Sequence, residues 1–294
     1  MTTLAVALAG RDLLRSSDFA PAEIEAVLEL AAELKLDRYE PRLPGRTLGL
    51  LFKKPSTRTR VSFAVAIAQL GGAAVPLHAE ELQLSRGESL SDTAQVLSSY
   101  LDAIAIRTFE QAELEEWADA ASIPIVNALT DEEHPCQALA DVLTIRERFD
   151  VTDGLRVAWL GDGTNVCNSL GVAAKALGMQ MVAACPPGYE PSGVEIVRDP
   201  REAAAGAHVL VTDTWTSMGR EADAAKRVHD LEPYRLGEKL VALADPDAIV
   251  LHCLPAHAGE EIDASVLYGP RSAVWQEAEN RLHVQKALLA LLLS

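Results

Sequence analysis

Residues 47–70 read TLGLLFKKPSTRTRVSFAVAIAQL, and the order of features in this stretch decides the fold. Thr47–Phe52 is a short apolar run of the length of a buried strand. Lys53-Lys54-Pro55 interrupts it. A helical pattern then runs to Leu70, where Gly71-Gly72 stops it. A strand, a tight connection and a helix, repeated, build a parallel sheet. The same alternation extends in both directions. Upstream, Pro21 opens a helix with Ile24, Val27, Leu28, Ala31 and Leu34 on one face. Downstream, residues 73–77, 103–107 and 123–127 read as strands. Helices are expected near 91–100 and 110–120, and a long one over Pro135–Phe149.

Residues 150–154 are polar and turn-rich, after which the pattern restarts. Residues 155–160 read as a strand, Gly161-Asp162-Gly163 as a turn and 165–177 as a helix. Further strands are expected at 179–184, 194–197, 208–212 and 248–252. A closing helix over 275–293 places Val284, Ala287, Leu288 and Leu291 on one face. The expected architecture is α/β with two domains, each a central parallel sheet flanked by helices. The first spans 1–150 and is completed by the C-terminal helix at about 275–294. The second spans 151–274. A chain of 294 residues suits two domains of ordinary size.

Composition narrows the function. Hydrophobic residues make up 49% and charged residues 23%, as in soluble globular proteins. With 26 basic and 43 acidic side chains, the net charge is −17. That field repels nucleic acid and anionic membranes, so neither is expected as a partner. A small anionic substrate would need a concentrated local basic site. The four cysteines, Cys136, Cys167, Cys185 and Cys253, lack the spacing of a disulfide framework. No basic n-region precedes the apolar residues 1–10, and no apolar run reaches a membrane span. A reducing, cytoplasmic compartment is the expectation.

Ser56-Thr57-Arg58-Thr59-Arg60 supplies such a basic site at the start of a helix. Free N–H groups, two kinds of hydroxyl donor and two guanidinium forks suit phosphate oxygens. The same spacing also suits a serine-capped helix with two solvated arginines. His134 and Gln137, three apart at the head of another helix, can hold a polarised carbonyl and an amide, or His134 can simply cap. His252-Cys253-Leu254-Pro255-Ala256-His257 follows a strand of the second half, where α/β proteins collect their reactive groups. Its spacing fits neither a zinc finger nor a zincin. Neighbouring Cys and His side chains at a strand end point apart, which disfavours a nucleophile pair. Gly161-x-Gly163 fails the dinucleotide fingerprint, because Val166 stands where the third glycine belongs. Asp213-Thr-Trp-Thr-Ser217-Met218-Gly219 fits either an ammonium site or a polar loop.

Taken in order, these segments resemble the aspartate/ornithine carbamoyltransferase family over nearly the whole chain. Phe52-x-Lys54-Pro-Ser-Thr-Arg-Thr-Arg60, Arg107-Thr108, His134-Pro-Cys-Gln137, His252-Cys-Leu-Pro255 and Glu277-Ala-Glu-Asn-Arg281 carry the likeness. The Ser217-Met218-Gly219 loop and His252-Cys253-Leu254-Pro255 mark its ornithine-using branch. The resemblance implies that Ser56, Thr57, Arg58 and Thr59 hold the phosphate of carbamoyl phosphate, with Arg107 reaching phosphate and carbamoyl oxygen. It implies that His134 and Gln137 bind the carbamoyl group. The backbone carbonyls of Cys253 and Leu254 would receive its N–H₂, and Arg281 would complete the pocket. Gln83 would serve the site of a neighbouring subunit in a homotrimer. Asn165, Asp213, Ser217 and Met218 would bind the α-carboxylate and α-ammonium of L-ornithine, while Asp213 and Cys253 orient its side-chain amine. Arg107, His134, Asp213 and Cys253 would be the catalytic residues. Neither metal nor organic cofactor is implied.

Under this reading the ornithine amine loses a proton and attacks the carbamoyl carbon. Its pKa lies near ~10.4 in water and falls on desolvation. Arg107, His134 and the Thr59 hydroxyl would stabilise charge growing on the carbamoyl oxygen. Two competing readings are another amine acceptor and a non-catalytic binding homologue. The Ser217-Met218-Gly219 loop speaks against putrescine, which has no carboxylate to bind. The complete phosphate segment speaks against a non-catalytic role. The chain departs from the family pattern at Lys53, where an acidic residue is usual, and over residues 188–207, where it is short by about one helix.

Overall fold

A computed structural model describes residues 8–78, 80, 82–83, 87–216 and 223–294. The chain divides into two compact units. One consists of Met1–Ala140 with Asn280–Ser294, and the other is Asp141–Glu279.

The first unit is built on four parallel strands: β1 (Thr47–Phe52), β2 (Ala73–His78), β3 (Ala103–Arg107) and β4 (Ile125–Leu129), in the order β2-β1-β3-β4. Its helices are α1 (Pro21–Leu36), α2 (Thr57–Gln69), α3 (Leu90–Ser98), α4 (Gln111–Ala120) and the start of α5 (Pro135–Phe149). β3 is buried along its whole length, as expected of a central strand covered on both faces. Leu51, Ile104, Ile106, Leu114, Trp117 and Ile125 form one core cluster. β4 begins two residues later than the sequence pattern suggests. Pro124 has no N–H to give the ladder, and the Ile125 N–H is taken by the Asp12 carboxylate at 2.7 Å. β2 lies at the sheet edge, with Ala73, Val75, Pro76 and His78 exposed.

The second unit carries β5 (Arg156–Leu160), β6 (Gln180–Ala184), β7 (Glu195–Val197), β8 (Val209–Thr212) and β9 (Ile249–His252), all parallel, in the order β7-β6-β5-β8-β9. Its helices are α6 (Asn165–Ala176), α7 (Pro200–Ala204), α8 (Ala224–Leu231), α9 (Glu238–Val241) and α10 (Ala264–Leu267), followed by the start of α11 (Val274–Leu292). The short stretch 188–207 thus still holds a strand and a five-residue helix. In both units the strand order reverses beside the first strand, between β1 and β3 and between β5 and β8. Connections leave such a point in opposite directions and open a crevice at the carboxyl ends of the strands.

The two compact units divide inside α5 and α11. The reason lies in side-chain pairing. The Arg148 Nε donates to Gln276 Oε1 at 2.6 Å, and Gln276 Nε2 donates to Glu147 Oε2 at 2.6 Å, so the end of α5 joins the start of α11 in the second unit. The rest of α11 belongs to the first unit, as the amphipathic pattern of its closing turns predicted. There Val284, Ala287 and Leu288 are fully buried. So is Lys286, whose ammonium donates to the carbonyls of Leu34, Asp37 and Arg38 at 2.9, 3.1 and 3.4 Å. It satisfies the orphan carbonyls that any helix leaves at its C-terminus, here those of α1. Lys286→Met should therefore lower stability by about 1–3 kcal/mol, the cost of stranding buried acceptors. Urea midpoints measure the loss, and amide exchange should accelerate first at the end of α1.

Candidate functional site

In the first unit, the predicted residues gather at the carboxyl ends of β1 and β3. Ser56 caps α2, its Oγ accepting from the Thr59 N–H at 3.3 Å. Thr57 and Arg58 are exposed on the first turn, and Thr59 is buried beneath them. The Thr59 Oγ1 accepts a hydrogen bond from Arg281 Nη2, which arrives from α11. Arg107 ends β3 in register with Phe52 of β1. Arg107, His134, Gln137 and Arg281 are all buried.

This packing fixes the protonation of His134. Burial holds its pKa well below the usual imidazole range, and the nearby charges of Arg281 and Arg107 push the same way. It is neutral at physiological pH. Cys136, one turn into the same segment, is buried and donates to the Asn127 carbonyl at 3.5 Å. Burial raises its pKa to about 12, which makes it an inert thiol. Lys53 and Lys54 flank the cradle without joining it. Lys53 pairs with Glu113, while Lys54 pairs with Asp131 and lies 4.2 Å from the centroid of the Phe109 ring. Gln83 is exposed, in a loop whose neighbours 81 and 84–86 are outside the described residues.

In the second unit, Asp213 lies just beyond β8 and is the centre of a hydrogen-bond cluster. One carboxylate oxygen accepts from Thr164 Oγ1 at 2.9 Å. The other accepts from the Thr214 N–H at 2.7 Å and from Cys253 Sγ at 2.9 Å. Burial drives the Cys253 pKa well above the ordinary thiol value, and the Asp213 carboxylate adds to the shift. Cys253 is therefore a protonated donor and not a nucleophile. Asn165 opens α6 beside Thr164. Ser217 and Met218 lie outside the described residues.

The turn after β9 is held from two sides. The His252 N–H donates to Glu277 Oε2 at 2.7 Å. The Leu254 N–H donates to His252 Nδ1 at 2.9 Å, so the ring proton sits on Nε2, which donates to Glu261 Oε1 at 3.1 Å. Leu254 is thereby kept in the left-handed region, φ 56°, which a leucine adopts only under such constraint. The ligating atoms of Asp213, His252 and Cys253 lie within 4.8 Å of one another, a donor set that could hold a metal ion. In this structure the Cys253 thiol and His252 Nδ1 are engaged in the hydrogen bonds just described.

Four supporting residues, Asp162, Arg227, Glu261 and Glu277, were given no role from sequence, although Asp162 and Glu277 lie in stretches singled out there. Arg227 pairs with Asp162 and donates from Nε to the Trp215 carbonyl at 2.6 Å, which anchors the start of the 213–219 loop. The turn Gly161-Asp162-Gly163 is closed over by the chain itself. A Cβ on Gly163 would lie 2.2 Å from Pro191 N, so glycine serves close backbone packing here.

The chain is similar to known proteins along nearly its whole length. Residues 11–147 match the aspartate/ornithine carbamoyltransferase carbamoyl-P binding domain, and residues 153–292 match the corresponding Asp/Orn binding domain. The chain is 54% identical to the ornithine carbamoyltransferase of Thermosynechococcus vestitus over 301 residues, 97% of each chain. It superimposes on the ornithine carbamoyltransferase of Pyrococcus furiosus with a TM-score of 0.93 at 46% identity, covering 97% of this chain and 98% of that one. The enzyme of Gloeobacter violaceus gives 0.87 at 48% identity, covering 96% and 98%.

The neutral state of His134 has a measurable consequence. Its folded pKa is depressed, so between that value and about 6.5 the unfolded chain binds a proton that the folded chain does not. Stability from this residue is complete above pH 6.5 and is lost as pH falls towards the folded pKa, with a limiting slope of about 1.4 kcal/mol per pH unit. His134→Gln should flatten the pH dependence of the urea midpoint between pH 7.5 and 5.5.

Proposed function

The chain belongs to the aspartate/ornithine carbamoyltransferase family, and from that premise we infer how its residues act. It transfers the carbamoyl group of carbamoyl phosphate to the side-chain amine of ornithine, giving citrulline and phosphate. The observation that carries the assignment of roles is the burial of Arg107 and Arg281 around a neutral His134 at the head of α5, with Arg281 donating to Thr59 in the first turn of α2. In a chain of net charge −17, two buried guanidiniums and a helix N-terminus concentrate positive potential at one place.

Ser56, Thr57, Arg58 and Thr59 hold the phosphate. Because Thr59 Oγ1 already accepts from Arg281, its own O–H is left to donate. Arg107 and His134 polarise the carbamoyl oxygen and stabilise the charge that develops on it, and Gln137 contacts the carbamoyl group. The carbonyls of Cys253 and Leu254 accept from the carbamoyl N–H₂. Asn165, Asp213, Ser217 and Met218 bind the backbone end of ornithine. Cys253, with its S–H spent on Asp213, offers sulfur lone pairs that orient the deprotonated amine.

The assembly is a homotrimer with shared sites, or a multiple of it. The exposed edge strand β2 and the exposed Gln83 support this, since a partner would cover the first and use the second. Among the described residues no helix is long and apolar enough to cross a membrane. All four cysteines are free thiols, in keeping with a reducing cytoplasm. We assign the reaction to arginine biosynthesis, because the ureido group of citrulline is a step from the guanidino group of arginine.

An acceptor panel tests the reading: ornithine should be carbamoylated, and putrescine, N-acetylornithine and aspartate should not. Arg58→Ala should reduce turnover by on the order of 10²-fold or more and weaken carbamoyl phosphate binding. Asp213→Asn should raise the KM for ornithine and leave that for carbamoyl phosphate nearly unchanged. Equal weakening of both substrates would mean that the roles are misassigned.

The trimer is tested by complementation. Arg58→Ala and Gln83→Ala chains, each inactive as a homotrimer, are unfolded and refolded together. Some interfaces then pair an intact Arg58 with an intact Gln83, and part of the activity should return. Mixed trimers that stay inactive, verified by native mass spectrometry, would show that Gln83 does not act across subunits.

A further inference from the structure

Arg107 is proposed above to polarise the carbamoyl oxygen, and the backbone that carries it is irregular. β3 pairs with β4 through Ile106↔Asn127 and then Arg107↔Leu129, skipping Ala128. Such a bulge re-aims the side chain beside it and leaves the local ladder weaker. Something else must hold the Arg107–Thr108 segment, and the side chains that do so come from two directions.

Lys53 brackets it from β1. Its N–H donates to the Arg107 carbonyl at 2.9 Å, and its ammonium pairs with Glu113. Glu113, in the first turn of α4, accepts the Thr108 hydroxyl on its other oxygen at 2.6 Å. Thr108 is fully buried, and its N–H reaches the Leu129 carbonyl at 3.0 Å. A closed path therefore runs from the Lys53 ammonium through Glu113 and the Thr108 hydroxyl to the Arg107 peptide, and back to Lys53 through its own backbone. We propose that Lys53 and Glu113 form a positioning pair that sets the aim of Arg107 and thereby the affinity for carbamoyl phosphate. This rests on the role given to Arg107 above. The pair touches no substrate. Its carboxylate gains from the α4 N-terminus and its ammonium neutralises that carboxylate, so the Thr108 hydroxyl meets a fixed acceptor.

Charge reversal separates positioning from mere stability. Lys53→Glu and Glu113→Lys each place like charges together and break the path. Each should raise the KM for carbamoyl phosphate about tenfold, while the KM for ornithine and the thermal midpoint change little. The Lys53→Glu/Glu113→Lys double variant restores the ion pair with its charges exchanged, and the path closes again with the Thr108 hydroxyl oxygen accepting from the new ammonium instead of donating to a carboxylate. It should bring the KM to within about threefold of the parent, because the two sites couple. Thr108→Val, which keeps shape and charge but removes the hydroxyl, should raise the same KM. The proposal is overturned if the single variants alter only the thermal midpoint, if the double variant is as impaired as the two singles combined, or if Thr108→Val leaves the KM unchanged. Arg107→Lys is the control on the underlying reading. An unaffected KM there removes Arg107 from carbamoyl phosphate binding altogether, whereas an impaired Arg107→Lys beside a silent charge swap removes only the positioning pair.

Discussion

A chain of net charge −17 has to hold a phosphate, and most of the first unit follows from that requirement. Positive charge spread over the surface would be lost among 43 acidic side chains and screened by salt. Burying it solves the problem. Arg107 and Arg281 sit where water is scarce, so their fields reach further and fall on one point. Burial first, and then the same two charges, hold His134 without its extra proton, which keeps the imidazole available as a neutral group. The helix that carries Thr59 starts where Ser56 caps it. Its N-terminus adds partial positive charge of the same sign at the same place.

The second unit uses the opposite device. Asp213 is an acceptor with three donors arranged around it, and the thiol of Cys253 is one of them. Carboxylates that never approach a substrate do as much to shape this half. Glu261 and Glu277 fix His252, and through its ring they fix Leu254 in a backbone conformation that a leucine does not choose. Asp162 and Arg227 do the same for the start of the 213–219 loop.

The parallel sheets were legible because a buried strand followed by a capped helix leaves a strong pattern, as in residues 47–70. The Ser56–Arg60 segment proposed to hold phosphate stood out in the sequence because its hydroxyls and guanidiniums are contiguous. Glu261 and Arg227 did not, since a charged residue reads as solvated until its partner is known, and the partners are 9 and 65 residues away. The helices α7, α9 and α10 span only four or five residues, too few to show a period. The division of the compact units inside α5 and α11 was not legible for a related reason. A polar turn signals a break in the chain, but membership of a unit is decided by pairs such as Gln276 with Glu147 and Arg148, which spacing does not reveal.

The way α11 is shared has a consequence for how the molecule comes into being. The second unit is one continuous stretch, so all its strands are available once residue 279 has been synthesised. The first unit is interrupted. Its residues up to 140 leave the ribosome early, yet the Arg281 that binds Thr59, the Lys286 that closes α1 and the Leu292 carbonyl that receives the Gly10 N–H arrive last. The domain translated first is therefore the one completed last, and its phosphate cradle exists only when nearly the entire chain has been made. During that interval its apolar surface waits for Val284 and Leu288, which makes the half-made first unit the part of the nascent chain most in need of protection from aggregation.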